Sequence, residues 1–348
     1  MKTIQGFVLM DVDVAALNNA GKDSSSNLDN AVSTKKIRKE GKEYPYVSGQ
    51  AWRYWWRETL ERNFGWSMSP VIRETKIAYT EAEPGKYPDD DMFGYMRAGK
   101  KDVIDPDTGK TKKENITLTR VSPLKNSALI AVAYNPIIQN WSSMTRQEGD
   151  AVPFTTDEYC AVMKGMFSID LERAGTFSDY NKTGFTNINE TMRKNYLQNG
   201  AIEIEDNHLP DKNGSLHKLV RLPQEVREKR VKDVILALKS IHGGAKQTTN
   251  MADVTPKIIV LAQWKNGNHP FSHLAVEDKG KAVFSIESLK EILQDYKGQY
   301  EGKIYIGKRK GFMDEIESKL EMLKADGLIE YGPVNMIIDS FVTSIKLD

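Results

Sequence analysis

The segment YPYVSGQAWRYWWRETL at residues 44–60 constrains the fold of this chain more than any other stretch. Ser48 is suited to cap a helix N-terminus, because a serine hydroxyl accepts from an otherwise orphaned backbone N–H. The spacing that follows predicts a helix over 49–62. Trp52, Trp55, Trp56 and Leu60 fall on one side of it. Gln50, Arg53, Arg57 and Glu61 fall on another, at i, i+3, i+4 spacing. The tryptophan side is expected to pack on a sheet while a stripe of guanidinium groups points outward. A guanidinium is a planar fork that donates two parallel hydrogen bonds to phosphate. An ordinary amphipathic helix with solvated arginines satisfies the same pattern.

Several function classes are excluded early. The chain has 348 residues, enough for one large or two ordinary domains, and 39% of them are hydrophobic, enough for a sizeable core. No apolar run approaches the roughly 20 residues that span a bilayer, so no membrane partner is expected. The opening MKTIQGFVLMDVDV is interrupted by Asp11 and Asp13, and is expected to be a strand and not a signal peptide. Cys160 is the single cysteine, which leaves no internal disulfide or cysteine-cluster metal site and points to the cytoplasm. It is expected to be a small buried hydrophobe. The formal net charge is +1, so any nucleic-acid-binding surface must be local and balanced by acid elsewhere.

Element order predicts an α+β fold. A strand over 2–14 leads into the polar loop NNAGKDSSSNLDNAVSTKKIRKEGK and then the helix. Residues 65–118 are expected to be irregular, with 138–158 an extended loop or hairpin and 176–222 irregular again. Pro223 opens a helix whose apolar residues recur through Ile241 and which Gly243-Gly244 terminates. TPKIIVLAQW is expected as a buried strand, followed by helices near 286–296 and 311–325 around the short strand KIYIG. Strand, helix, insert, strand, helix, strand is the order of a ferredoxin-like or RNA-recognition-motif sheet with large insertions.

Three further segments are candidates for binding. TKKIRK places Lys35, Lys36, Arg38 and Lys39 just before the helix, where a basic run can follow a phosphate backbone or simply be solvated. In GGAKQ, glycine permits close approach of a ligand, and Lys246 and Gln247 can reach phosphate or base; a helix cap and polar turn fits equally. Trp141, Met144 and Arg146 lie in a polar stretch where an aromatic can stack on a base or an apolar wedge can separate stacked bases, or where a tryptophan is merely pinned in a surface loop. Other motifs fail. TGKT at 108–111 lacks the upstream glycine of a nucleotide-binding loop, since position 104 is Ile. His269 and His273 have Pro270 between them and no HExxH pattern. Asp89, Asp90 and Asp91 are expected in a flexible lobe that preorganises no metal site.

Taken in order, the first strand, NNAGKDSSSNLDN, TKKIRK, YPYVSGQAWRYWWRETL, TRVSPLKNSAL, MFSIDLERAG and GGAKQ resemble the DevR or autoregulator family, the backbone subunit of type I-B CRISPR Cascade. The resemblance runs from residue 1 to about 265. It implies an RNA-recognition-motif-like (ferredoxin-like) palm over 1–63, 119–137 and 161–348, fingers over 64–118, a thumb hairpin over 138–160, and a second insertion over 176–222. It also implies copies stacked head to tail along crRNA with other Cascade subunits, displaying the guide for pairing with target DNA. The implied RNA-binding residues are Asn19, Lys35, Lys36, Arg38, Gln50, Arg53, Arg57, Arg120, Trp141, Met144, Arg146, Gly243, Gly244, Lys246 and Gln247. No cofactor, metal or catalytic residue is implied. Related backbone subunits cut target RNA with a loop aspartate, for which Asp23 or Asp29 would serve, and the family's older name suggests a transcriptional autoregulator.

Overall fold

A computed structural model describes residues 1–22, 31–75, 77–104, 111–115, 117–181 and 186–347, with strand residues 22, 100–104 and 111–115 described by their backbone alone. The elements that position the candidate site are β1 (Thr3–Ala15), β2 (Lys36–Lys39), β3 (Lys42–Val47), α1 (Gly49–Phe64), β4 (Leu129–Ala131), β5 (Val152–Asp170), α2 (Gln224–Leu236), β6 (Ile258–Trp264), β7 (Tyr300–Lys308), β8 (Ile329–Gly332) and α3 (Val334–Ser344). They build an α+β fold around a twelve-stranded mixed sheet whose main path runs β8-β7-β6-β1-β5-β4-β3-β2. β7 and β8 are parallel, while β1 pairs antiparallel with both β5 and β6. The strand Ile138–Met144 folds back on the first half of β5.

Both faces of the sheet are covered, which is why residues 6–10 of β1 and 258–262 of β6 are apolar without interruption. Successive side chains of a strand point to opposite faces. Ile4, Val8, Met10 and Val12 of β1, with Ile259 and Leu261 of β6, enter the core beneath α1, α2 and α3. Phe7 and Leu9, with Ile258, Val260, Ala262 and Trp264, enter a second core beneath the helices Ile286–Asp295 and Glu317–Ala325. The tryptophan side of α1 packs inward as expected. Trp52 and Trp56 stack at 5.3 Å between ring centres, and Trp56 meets Phe167 of β5 edge-on. The indole N–H of Trp56 donates to Val234 O at 2.7 Å, docking α1 on α2.

Four expectations are corrected, and one helix was not anticipated. The segment 176–222 is ordered: strands Thr176–Phe177, Ile202–Pro210 and Leu216–Arg221 form a small sheet with helix Glu190–Gln198. Phe177, Ile188, Tyr196 and Val220 make its own core, too few apolar residues to raise a clear periodic signal. Asp89, Asp90 and Asp91 are buried in the short helix Pro88–Phe93, held by backbone donors and ion pairs, and are not in a flexible lobe. Within the expected polar loop, Asn19–Lys22, Ala31–Thr34 and β2 are strands of the main sheet. Cys160 is exposed, because its side chain leaves β5 on the outer side next to Asp13. The helix α3 went unpredicted, although Val334, Ile337, Ile338, Phe341 and Val342 repeat at helical spacing and are all buried.

Candidate nucleic-acid interface

Asn18, three residues past the end of β1, joins segments far apart in sequence. Its side-chain oxygen accepts from Ser48 N at 2.9 Å, fixing the start of α1. Its backbone oxygen accepts from Lys35 N at 2.7 Å, fixing the start of the basic segment. One residue earlier, Leu17 O accepts from Ala245 N at 2.9 Å, which brings in GGAKQ. Asn19, Lys35, Gln50 and residues 243–247 therefore surround one junction. The hydroxyl of Ser48 caps α1 by accepting from Ala51 N at 3.3 Å. Gln50 is exposed beside it, as is Tyr54 one turn later, at 62%.

The glycine loop lies on this junction because nothing larger fits. Gly243 has φ +153° and Gly244 φ +103°, conformations that L side chains rarely adopt. A Cβ on Gly243 would lie 2.3 Å from Trp55 Cγ and Cδ1, and one on Gly244 would lie 2.6 Å from Leu17 Cδ2. The loop thus sits directly on the buried tryptophan side of α1. Gln247 closes it by donating its amide to Gly243 O and, at 3.3 Å, to Ala252 O. Lys246, in a left-handed conformation, reaches Glu158 at 3.6 Å, and Asn140 also donates to Glu158. Those contacts tie the loop to the base of the 138–158 hairpin.

Along the strand Ile138–Met144 and the bend after it the side chains are exposed, whereas Thr155, Thr156 and Asp157 of the returning strand are buried. Trp141 is 68% exposed, and Met144 stands exposed opposite Val152 on the other face. Arg146 is exposed in the bend that follows.

The arginines of α1 behave differently from the expected outward stripe. Both lean onto Phe93, with Arg53 at 5.0 Å and Arg57 at 4.3 Å from the ring centre. Arg53 donates to Leu124 O (2.8 Å), Asn126 Oδ1 (2.9 Å), Phe93 O (2.6 Å) and Ser122 Oγ (2.9 Å). Burial pushes its pKa down to about 10, so it stays charged at neutral pH. Arg57 makes no hydrogen bond or ion pair among the described residues. Burial lowers its pKa too, against the raising effect of Asp89 and Asp90.

Arg120 is taken out of the candidate surface. It is buried, pairs with Asp91, and donates to Asp91 O (2.9 Å), Thr176 O (3.0 Å) and Arg173 O (2.7 Å). Asp91 also pairs with Arg230 at 2.6 Å and accepts from Gly175 N. The guanidinium of Arg120 is thus a structural link between lobes and presents nothing to a ligand. Lys36 and Arg38 lie on the edge strand β2 and both pair with Glu43, at 2.9 and 3.2 Å. Asp23 and Asp29 lie outside the described residues. Among those residues no group of three or more His, Cys, Asp and Glu side chains is arranged to hold a metal. His269 is held by Gly6 O and Phe167 O, each at 3.1 Å. Sequence reasoning missed Asn18, Leu17 and Tyr54. Only Tyr54 carried a signal, as the aromatic on the polar side of α1.

The fold is α+β with a large mixed sheet, and chains of solved CRISPR complexes have a similar one. One solved structure, a CRISPR RNA-guided surveillance complex, has a chain that aligns over 98% of this chain and 99% of its own, with 10% identity and a TM-score of 0.51. Another, a CRISPR RNA-guided surveillance complex in a pre-nicking state, has the same coverage and identity with a TM-score of 0.53. At that identity the likeness is one of fold. A family model described as CRISPR-associated negative auto-regulator DevR/Csa2 matches residues 8–283, and the chain belongs to that family. A search of curated proteins found no match. No helix among the described residues is long and apolar enough to cross a membrane.

Proposed function

We propose that this chain is a guide-RNA-binding repeating subunit of a type I-B CRISPR surveillance complex, without catalytic activity of its own. One observation carries the reading. The glycine loop, the start of α1 and the basic segment at Lys35 converge on Asn18, beside a hairpin that exposes Trp141 and Met144. Such a surface offers backbone donors, an amide, cations and an apolar wedge, and so suits a single strand contacted through phosphate and sugar. Independence from base identity is what a subunit accepting any guide requires. The order β6-β1-β5-β4, with α1 and α2 on one face, supports an RNA-recognition-motif-like palm. Residues 64–118 then serve as fingers, 138–160 as thumb and 176–222 as a second insertion. Further copies of the chain and other Cascade subunits would complete the assembly around crRNA, leaving bases free for target DNA.

The test is single-stranded RNA binding by the full chain, measured by anisotropy across a salt series. Gln50→Ala/Arg57→Ala/Lys246→Ala is expected to weaken binding and flatten the log–log salt slope by roughly 0.7 for each phosphate no longer neutralised. Equal affinity and equal slope would overturn the assignment. Tight, sequence-specific binding to duplex DNA in its place would point to the autoregulator role.

A further inference from the structure

The family match ends at residue 283, and the chain beyond it carries a cationic loop that none of the foregoing uses. Residues 308–311 read Lys-Arg-Lys-Gly and leave the end of β7. Lys308 is 1% exposed and turns inward. It donates to Arg309 O at 3.1 Å and Phe312 O at 3.2 Å, and it pairs with Asp314. Gly311 N donates to both carboxylate oxygens of Asp314, at 3.0 and 3.1 Å. One buried lysine and one carboxylate therefore hold the loop in a set shape. Phe312 and Met313 pack against the second core and anchor it from below.

The loop uses Lys308 and Asp314 for its own construction and leaves two cations over. Neither Arg309 nor the exposed Lys310 makes a side-chain hydrogen bond or ion pair among the described residues. Arg309 is half-buried, and its Nε is buried with no hydrogen-bond partner. A guanidinium with unused donors on an anchored loop is suited to an oxyanion that can accept two parallel bonds. Its position supports the same reading. Arg309 N donates to Lys257 O at 2.8 Å, and Lys257 N donates to Leu9 O at 2.7 Å, seating the loop at the end of the sheet where β1 runs on to Leu17 and Asn18. Lys257 is itself neutralised by Asp253.

We infer that Arg309 and Lys310 form a second phosphate-binding site, contributed by the C-terminal region of the chain, which takes the backbone of a nucleic-acid strand. The inference rests on the proposed RNA-binding role and extends its path beyond the family-matched region. It is tested on the full chain with Arg309→Ala/Lys310→Ala, whose side chains carry no structural bonds. Melting temperature confirms that the fold is kept. Salt-dependent binding is measured with single-stranded RNA and with the same RNA paired to complementary DNA.

The expected result is a several-fold loss of affinity and a salt slope flattened by roughly 0.7–1.4, one or two phosphates' worth. Loss on the RNA alone assigns the site to the guide. Loss on the RNA–DNA hybrid only assigns it to the target strand. Arg309→Lys should restore charge but only a fraction of the affinity, because an ammonium lacks the fork. Binding and slope unchanged on both nucleic acids would overturn the site while leaving the junction at Asn18 intact. Failure of the wild type to bind either would overturn both.

Discussion

The centre formed by Asp91, Arg120 and Arg230 and the junction at Asn18 are both polar, and the chain uses them in opposite ways. At the first, one carboxylate answers two guanidinium groups in the interior, and the backbone of Pro84, Gly85, Arg173, Gly175 and Thr176 takes up further donors and acceptors. At the second, a few half-buried side chains fix the backbone and leave others out. Asn18, Ser48 and Leu17 hold the shape, while Gln50 and the cation of Lys35 have no role in holding it. A polar cluster builds a lobe when its donors close on one another, and can build a binding surface when a few of its side chains hold the backbone and the others are left over.

The sharpest way to break this contrast is Asp91→Ala. It leaves two buried guanidinium groups without their counter-charge, and should cost about 3–5 kcal/mol in denaturant unfolding. A loss below about 1 kcal/mol would mean that the centre is wetter than its burial indicates. A middle-sized effect is expected from Gly243→Ala, at about 1–3 kcal/mol, through the left-handed backbone and the overlap with Trp55. RNA affinity should fall with it, since the loop cannot move away from α1 without releasing the Leu17 bond. Unchanged stability with unchanged affinity would show that the loop relaxes freely.

The smallest effect separates two arginines on one helix. Arg53→Ala should destabilise by about 1–3 kcal/mol, because it strips the Phe93 carbonyl of its donor and leaves Leu124 O with the Ser122 hydroxyl alone. Arg57→Ala should cost under about 1 kcal/mol, the worth of its ring contact with Phe93, and should instead lower RNA affinity. If the two variants behave alike in both measurements, the division between structural and binding arginines on α1 fails.

Much of the framework was legible in the sequence. The tryptophan spacing placed α1 and its packed side, and continuous apolar residues placed β6. Pro223 and the glycine pair bracketed the α2 region. What was not legible follows one pattern. Charge and polarity in 65–118 and 176–222 suggested irregular chain, yet Asp89–Asp91 are interior and 176–222 encloses its own small core. Local composition cannot distinguish a solvated carboxylate from one whose partners arrive from Gly175 or Arg230. For the same reason Arg53, Arg57 and Arg120 looked alike as candidate phosphate ligands, although only Arg57 keeps its donors unused.

By itself the sequence determined which residues could not face water: the tryptophan side of α1, the core strands, and the periodic faces of the helices. Those demands are local, because hydrophobic spacing is written in consecutive residues. Only the tertiary structure decided which polar groups remained available. A hydrogen bond from Arg120 to Thr176 or from Ala245 to Leu17 spans residues that no local pattern connects. Whether a cation binds a ligand depends on whether the fold has already supplied its partners.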